Sequence, residues 1–126
     1  MDKTKPLVLV VDDEMDTRVF LYSLLDSAGY RVATCTQGLE ALDYVAQNRP
    51  DLVVSDVRMP EIEGLEVLAK VKYMSPETRV LLITAFPEAG LRREALEAGG
   101  EDVLYKPFTN EAFLASVARA LERVEP

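Results

Sequence analysis

Histidine is absent from all 126 residues. That absence removes imidazole zinc sites, Ser/His hydrolase chemistry and any phosphohistidine carried on the chain itself. Cysteine is nearly absent: Cys35 stands alone, so no internal disulfide forms, and the residue is expected as a small buried apolar side chain in a reducing compartment. Long apolar runs are missing too. Leu7 to Val11 is halted by Asp12, Asp13 and Glu14, which is too short for a signal peptide or a membrane span. A soluble, cytoplasmic protein with no membrane partner is the expectation. Basic charge is in deficit, with 14 Lys and Arg against 22 Asp and Glu and a formal net charge of -8. Sequence-independent attraction to nucleic acid or anionic lipid is therefore disfavoured. The chemistry left to this chain must run on carboxylates, threonine and lysine.

Apolar residues make up 48% of the chain, enough for a core without disulfide or metal staples. Five short β-branched runs read as strands: Leu7 to Val11, Tyr30 to Cys35, Leu52 to Ser55, Val80 to Thr84 and Asp102 to Tyr105. Between them the apolar residues fall at helical spacing. The first helix should bury Thr17, Phe20, Leu21, Leu24 and Ala28 and stop at Gly29. The second, from about Gly38 to Asn48, turns Leu39, Leu42 and Val45 inward. The third uses Leu65, Leu68 and Val71 and ends near Ser75-Pro76, because the residue before proline avoids helical geometry. Pro87 is favoured in a helix's first turn, so the fourth helix is expected from there to Gly99-Gly100. The fifth, from Asn110 to about Arg123, should be capped by Thr109 and bury Phe113, Leu114, Val117 and Leu121.

Strict alternation of strands and helices, with strands apolar throughout, calls for a parallel sheet covered on both faces: a doubly wound α/β fold with five strands and five helices. No repeat, low-complexity tract or linker interrupts the pattern. A single domain over 1–126 is expected, with short flexible ends at about 1–5 and 124–126 and no room for an effector domain.

In such sheets ligands sit at the carboxyl ends of the strands, where the winding direction reverses. Asp12 and Asp13 follow the first strand, Asp56 the third, Thr84 ends the fourth, and the fifth runs into Lys106-Pro107. Taken singly these residues have plain explanations: a capping or solvated Asp pair, a turn aspartate, a strand-filling threonine, a surface lysine. Together they place three carboxylates, a hydroxyl and an ammonium on one rim, which solubility alone does not require. Crowded acids repel unless a cation neutralises them, and an all-oxygen set suits Mg²⁺ better than a soft metal.

The same stretches carry a family resemblance. Val10-Val11-Asp12-Asp13-Glu14, Ser55-Asp56-Val57-Arg58-Met59-Pro60 with Gly64 in the loop beyond, Leu82-Ile83-Thr84-Ala85 and Tyr105-Lys106-Pro107-Phe108 closely resemble the receiver domains of bacterial two-component response regulators. The resemblance spans essentially the whole chain. It implies the flavodoxin-like receiver fold with strand order 2-1-3-4-5. It further implies that Asp56 accepts a phosphoryl group from the phosphohistidine of a sensor histidine kinase or histidine phosphotransfer protein, or from a small donor such as acetyl phosphate. By the same resemblance Mg²⁺, or Mn²⁺ in its place, is held by Asp13, Asp56 and the backbone carbonyl of Arg58, with Asp12 acting mainly through water on the ion. Lys106 pairs with one phosphoryl oxygen and Thr84 donates to another. Thr84 then moves inward, and the face formed by the fourth helix, fifth strand and fifth helix becomes the output surface for an effector, an output domain or a second copy. Such a domain catalyses its own phosphorylation and dephosphorylation and is no enzyme in the ordinary sense; direct nucleic-acid binding is not expected of it.

One departure from the family pattern affects the switch. Receivers commonly carry Tyr or Phe three residues before the lysine, where this chain has Val103. Its aromatic is Tyr105, on the same side of the strand as Val103. Switching through the backbone and the fourth helix is therefore expected, with Tyr105 either a partner contact or simply a cover for apolar surface. Arg58 and Phe86 flank the site and could change the rate of acyl phosphate hydrolysis, in a direction the residues do not disclose. Two competing readings stand beside this one: a receiver-fold interaction scaffold that is never phosphorylated, and a flavin-binding module. The flavin reading is disfavoured by acids where a phosphate needs backbone N–H groups. Arg92 and Arg93 on the fourth helix are solvated charges or rim ion pairs of a dimer.

Overall fold

The computed structural model describes residues 4–122. Five strands and five helices alternate along the chain. These are β1 (Leu7–Val11), α1 (Met15–Ser27), β2 (Arg31–Cys35), α2 (Gly38–Asn48), β3 (Leu52–Asp56), α3 (Gly64–Met74), β4 (Arg79–Thr84), α4 (Leu91–Glu97), β5 (Asp102–Tyr105) and α5 (Asn110–Glu122). All pairings are parallel, and the strands lie in the order β2-β1-β3-β4-β5. The chain winds outward from β1 to β2, then crosses back to β3 on the other side. The reversal opens the crevice between the carboxyl ends of β1 and β3.

Strand side chains alternate between the two faces, and each face is buried under its own helices. Leu9, Val11, Val53, Val80, Leu82 and Val103 pack with α2, α3 and α4 through Val45, Val67, Leu68, Val71, Leu91 and Ala95. Val8, Val10, Leu52, Val54, Leu81 and Ile83 pack with α1 and α5 through Leu21, Leu25, Phe113 and Val117. Most of these side chains expose no surface, each contributing about 1.5–3 kcal/mol of transfer free energy. This double burial fixes where the strand ends meet at the site. Among the described residues no helix is long and apolar enough to cross a membrane.

Several sequence expectations need correction. The fourth helix does not begin at Pro87. Helical hydrogen bonding starts with Glu94 N–H to the Gly90 carbonyl, and Gly90 at φ 83 turns the chain into Leu91. Residues Phe86 to Ala89 instead form an exposed loop beside the strand ends. Leu39 is not inward but half exposed, because α2 lies against Ile62 and Val67 so closely that Gly38, Ala41 and Val45 form its buried face. Phe20 is likewise half exposed; the buried face of α1 is Leu21 and Leu25. Cys35 is only partly buried, packed against the α2 side of the core. The Thr109 cap is present, its Oγ1 accepting the Ala112 N–H at 2.9 Å. Of the ends expected to be flexible, Thr4 and Lys5 are exposed, while residues 1–3 and 123–126 lie outside the described residues.

Candidate functional site

Asp12, the residue after β1, is fixed on three sides. Its N–H donates to the Cys35 carbonyl at 3.2 Å, its own carbonyl accepts from Arg18 Nη1 at 2.9 Å, and its Oδ1 accepts the Glu14 N–H at 2.8 Å. The side chain is fully buried, and Oδ2 has no hydrogen-bond partner. Lys106 Nζ approaches it only to 3.8 Å. Burial pushes the Asp12 carboxyl from its ordinary 3.8 up to about 6. The Glu14 N–H opposes that rise, Asp56 and Asp13 add to it by like-charge repulsion, and Lys106 counters it.

Asp56 ends β3 almost wholly buried. Its Oδ1 accepts the Arg58 N–H at 3.1 Å and its Oδ2 lies 3.4 Å from Lys106 Nζ. The main chain beneath it is crowded: a Cβ on Gly64, the first residue of α3, would fall 2.5 Å from the Asp56 carbonyl oxygen and 2.9 Å from Val57 Cα. Only glycine lets α3 start this close to the aspartate. Thr84 is fully buried at the end of β4 and its Oγ1 accepts the Phe86 N–H at 3.1 Å. That bond uses an oxygen lone pair and not the hydroxyl proton. Lys106 follows β5; its N–H donates to the Thr84 carbonyl at 2.8 Å, so the ladder itself delivers the ammonium beside the threonine.

All five expected groups, Asp12, Asp13, Asp56, Thr84 and Lys106, stand at the carboxyl edge of the sheet. Asp13 is exposed, and one carboxylate oxygen from each aspartate lies within 4.8 Å of the other two. The set fits a hard divalent cation. A buried carboxylate oxygen with no hydrogen-bond partner beside two further acids is stabilised by a cation with oxygen preference and penalised without one. The same sign makes a flavin phosphate a poor occupant. A cleft of about 260 Å³ opens over the group, lined by Asp13, Glu14, Asp56, Arg58, Ala85, Phe86 and Lys106. Larger clefts elsewhere, of about 360 Å³ beside α5 and 500 Å³ beside α2, lack a comparable convergence of buried groups.

Two features escaped the sequence reading. Glu88, in the loop expected to be helical, forms an ion pair with Arg58 across the cleft, and the Arg58 guanidinium sits 5.9 Å from the Phe86 ring centroid. No local pattern signals this pair, which joins residues 30 positions apart. Arg92, about half exposed, is tied within its own chain. It donates to Asp102 Oδ1 at 2.9 Å and the Val103 carbonyl at 2.6 Å, and covers Tyr105 at 5.2 Å. Val103 is fully buried and Tyr105 partly so, on the same face of the sheet.

Comparison with known proteins agrees with this geometry. The family model for the response regulator receiver domain matches residues 8–118. The response regulator MprA of Mycobacterium sp. (strain KMS) is 41% identical over 119 residues, covering 94% of this chain and 52% of MprA. MprA of Mycobacterium tuberculosis (strain ATCC 25177 / H37Ra) is 40% identical with the same coverage. This chain thus spans about half the length of the curated relatives it matches. Among solved structures, the Vibrio cholerae chemotaxis protein CheY4 superposes with a TM-score of 0.87 at 34% identity, over 93% of this chain and 99% of that one. The BeF3-activated DrrB receiver domain gives 0.85 at 33%, over 94% and 99%. With the β2-β1-β3-β4-β5 sheet, the acidic strand-end cluster and a family match over most of its length, this chain belongs to the response regulator receiver domains of two-component signalling.

Proposed function

We propose that Asp56 accepts a phosphoryl group from the phosphohistidine of a sensor histidine kinase or histidine phosphotransfer protein, or from acetyl phosphate, in a Mg²⁺-dependent reaction. The observation that carries this reading is the meeting of the Asp56 carboxylate and the Lys106 ammonium at 3.4 Å beside a buried Asp12 oxygen that has no hydrogen-bond partner. Asp13, Asp56 and the Arg58 main-chain carbonyl would hold the ion, with Asp12 next to them, and Mn²⁺ can substitute. Bound there, Mg²⁺ supplies the charge neutralisation that lets an anionic nucleophile meet an anionic phosphoryl group.

The chain's own residues do the rest. One Asp56 carboxylate oxygen forms a bond to phosphorus as the bond from phosphorus to the donor breaks, its electron pair leaving with the donor. The Arg58 N–H orients the carboxylate through Oδ1. Lys106, already within ion-pair distance of Asp56, would attract a phosphoryl oxygen, and the Thr84 hydroxyl, whose oxygen accepts the Phe86 N–H, keeps a proton to donate to another. The product is an acyl phosphate that water later removes, so the domain acts on itself and turns over no separate substrate pool.

Output is assigned to the α4–β5–α5 face. The aromatic-free position 103 is filled by a fully buried valine, so movement of Thr84 reaches that face through the main chain it shares with Lys106 and not through an aromatic rotamer. Tyr105, under Arg92, is the partner contact there, toward an effector, an output domain or a second copy. A formal charge of -8 argues against direct nucleic-acid contact by this domain. The test is intact mass after incubation with acetyl phosphate, with Mg²⁺ or with EDTA. One phosphoryl group is expected with Mg²⁺, none with EDTA and none in Asp56→Asn. Equal labelling of Asp56→Asn would refute the reading, and an unmodified wild-type mass would favour the unphosphorylated scaffold.

A further inference from the structure

The Arg58–Glu88 side-chain pair does no work in the chemistry above, yet it holds Arg58, which lines the cleft where that chemistry occurs. Arg58 belongs to the loop after β3 and Glu88 to the loop after β4. Their ion pair therefore ties together the two loops that flank the Asp56–Lys106 cleft. The strap is anchored at each end to the site. The Arg58 N–H bonds Asp56 Oδ1 at 3.1 Å. Phe86, over which the guanidinium sits, bonds Thr84 Oγ1 through its own N–H at 3.1 Å. Arg58 and Phe86 both line the cleft mouth. Glu88 does not line it; its carboxylate reaches the site only through its pair with Arg58.

We propose that Glu88, by holding the Arg58 guanidinium across the cleft and over Phe86, screens the phosphorylated Asp56 from water and so lengthens the life of the acyl phosphate. The inference rests on Asp56 being the phosphoacceptor. In hydrolysis a water oxygen bonds to phosphorus and the bond from phosphorus to the Asp56 oxygen breaks. The electron pair returns to the carboxylate and the water's proton leaves with inorganic phosphate. The attacking water must come from the side opposite Asp56, which is the open mouth. With the pair intact, an apolar ring and a tethered guanidinium occupy part of that route. Arg58 and Glu88 are each about half exposed (46% and 44%), so the tether is worth what a surface ion pair is worth, and its loss should speed hydrolysis by roughly two- to five-fold.

The test uses wild type, Glu88→Gln, Arg58→Ala and the double variant. Each is labelled with acetyl phosphate and Mg²⁺ and separated from the donor. Loss of the phosphoryl group is then followed by intact mass. Glu88→Gln is expected to shorten the half-life roughly two- to five-fold in the wild-type background and to have no effect once Arg58 is alanine. That non-additivity distinguishes the strap from a simple loss of negative charge, which would speed or slow hydrolysis equally in both backgrounds. An unchanged or longer half-life in Glu88→Gln, or equal effects in the two backgrounds, overturns the proposal while leaving the phosphoacceptor role standing. If wild type itself takes no label, the phosphoacceptor reading fails and the strap falls with it.

Discussion

Replacing Asp12 by Asn should stabilise the metal-free domain, although it removes a residue from the site. The carboxylate is fully buried with one oxygen unpartnered and two other acids beside it. Asn keeps the oxygen that accepts the Glu14 N–H and replaces the orphan with an NH₂ facing carboxylates. The cost can be worked from the carboxyl's rise from 3.8 to about 6. A rise of that size corresponds to about 3 kcal/mol in the ionised state. Water in the adjoining cleft screens part of this, leaving roughly 2 kcal/mol. Because the folded value lies above the unfolded one, the stabilisation from neutral Asp12 is complete below about pH 4 and is lost as pH rises through about 6. In EDTA at pH 7.5, Asp12→Asn should therefore unfold at higher urea than wild type by about 1 M, taking a urea slope of about 2 kcal/mol/M. Near pH 4 the two should coincide. Mg²⁺ should raise wild-type stability, by about 2.7 kcal/mol at a hundred times its Kd, and the variant's by less. Far-UV circular dichroism across a urea series at pH 4, 6 and 7.5 measures all of this. If Asp12→Asn were no more stable than wild type at pH 7.5 in EDTA, or kept its advantage undiminished at pH 4, the account of a charge awaiting a cation would be wrong.

Gly64→Ala places a methyl 2.5 Å from the Asp56 carbonyl oxygen, so β3 and α3 must part. The expected loss is about 1–3 kcal/mol, with slower labelling of Asp56, and an unchanged thermal midpoint would contradict it. Burial, helped by the Glu40 charge, pushes the Cys35 thiol from 9.0 up to about 12. The thiolate is thus suppressed at pH 8, and iodoacetamide should alkylate native Cys35 at least about a hundredfold more slowly than the urea-unfolded chain; rates within tenfold of each other would refute the burial argument.

The order of elements and the five expected polar groups were legible without coordinates. Strand-length apolar runs and helix-period spacing report burial directly, and a doubly wound sheet places every strand end on one edge, so Asp12, Asp56, Thr84 and Lys106 could be gathered from register alone. Helix faces were less legible. Leu39 and Phe20 fit the apolar spacing of their helices, but α2 is held to Ile62 and Val67 by the clearance only Gly38 allows, and that contact joins residues distant in sequence. Pro87 suited a helix start, yet Gly90 at φ 83 sets it.

What the amino-acid sequence alone determined is which chemistry is available: no imidazole, and oxygen and ammonium groups at fixed steps after apolar runs, a consequence of local covalent order. What only the tertiary structure decided is which of those groups share one space. The unpartnered Asp12 oxygen, the Arg58–Glu88 strap and the Arg92 cover on Tyr105 each depend on two loops or on a helix and a strand meeting. Such meetings are set by packing of the whole sheet and leave no mark in any short stretch of the chain.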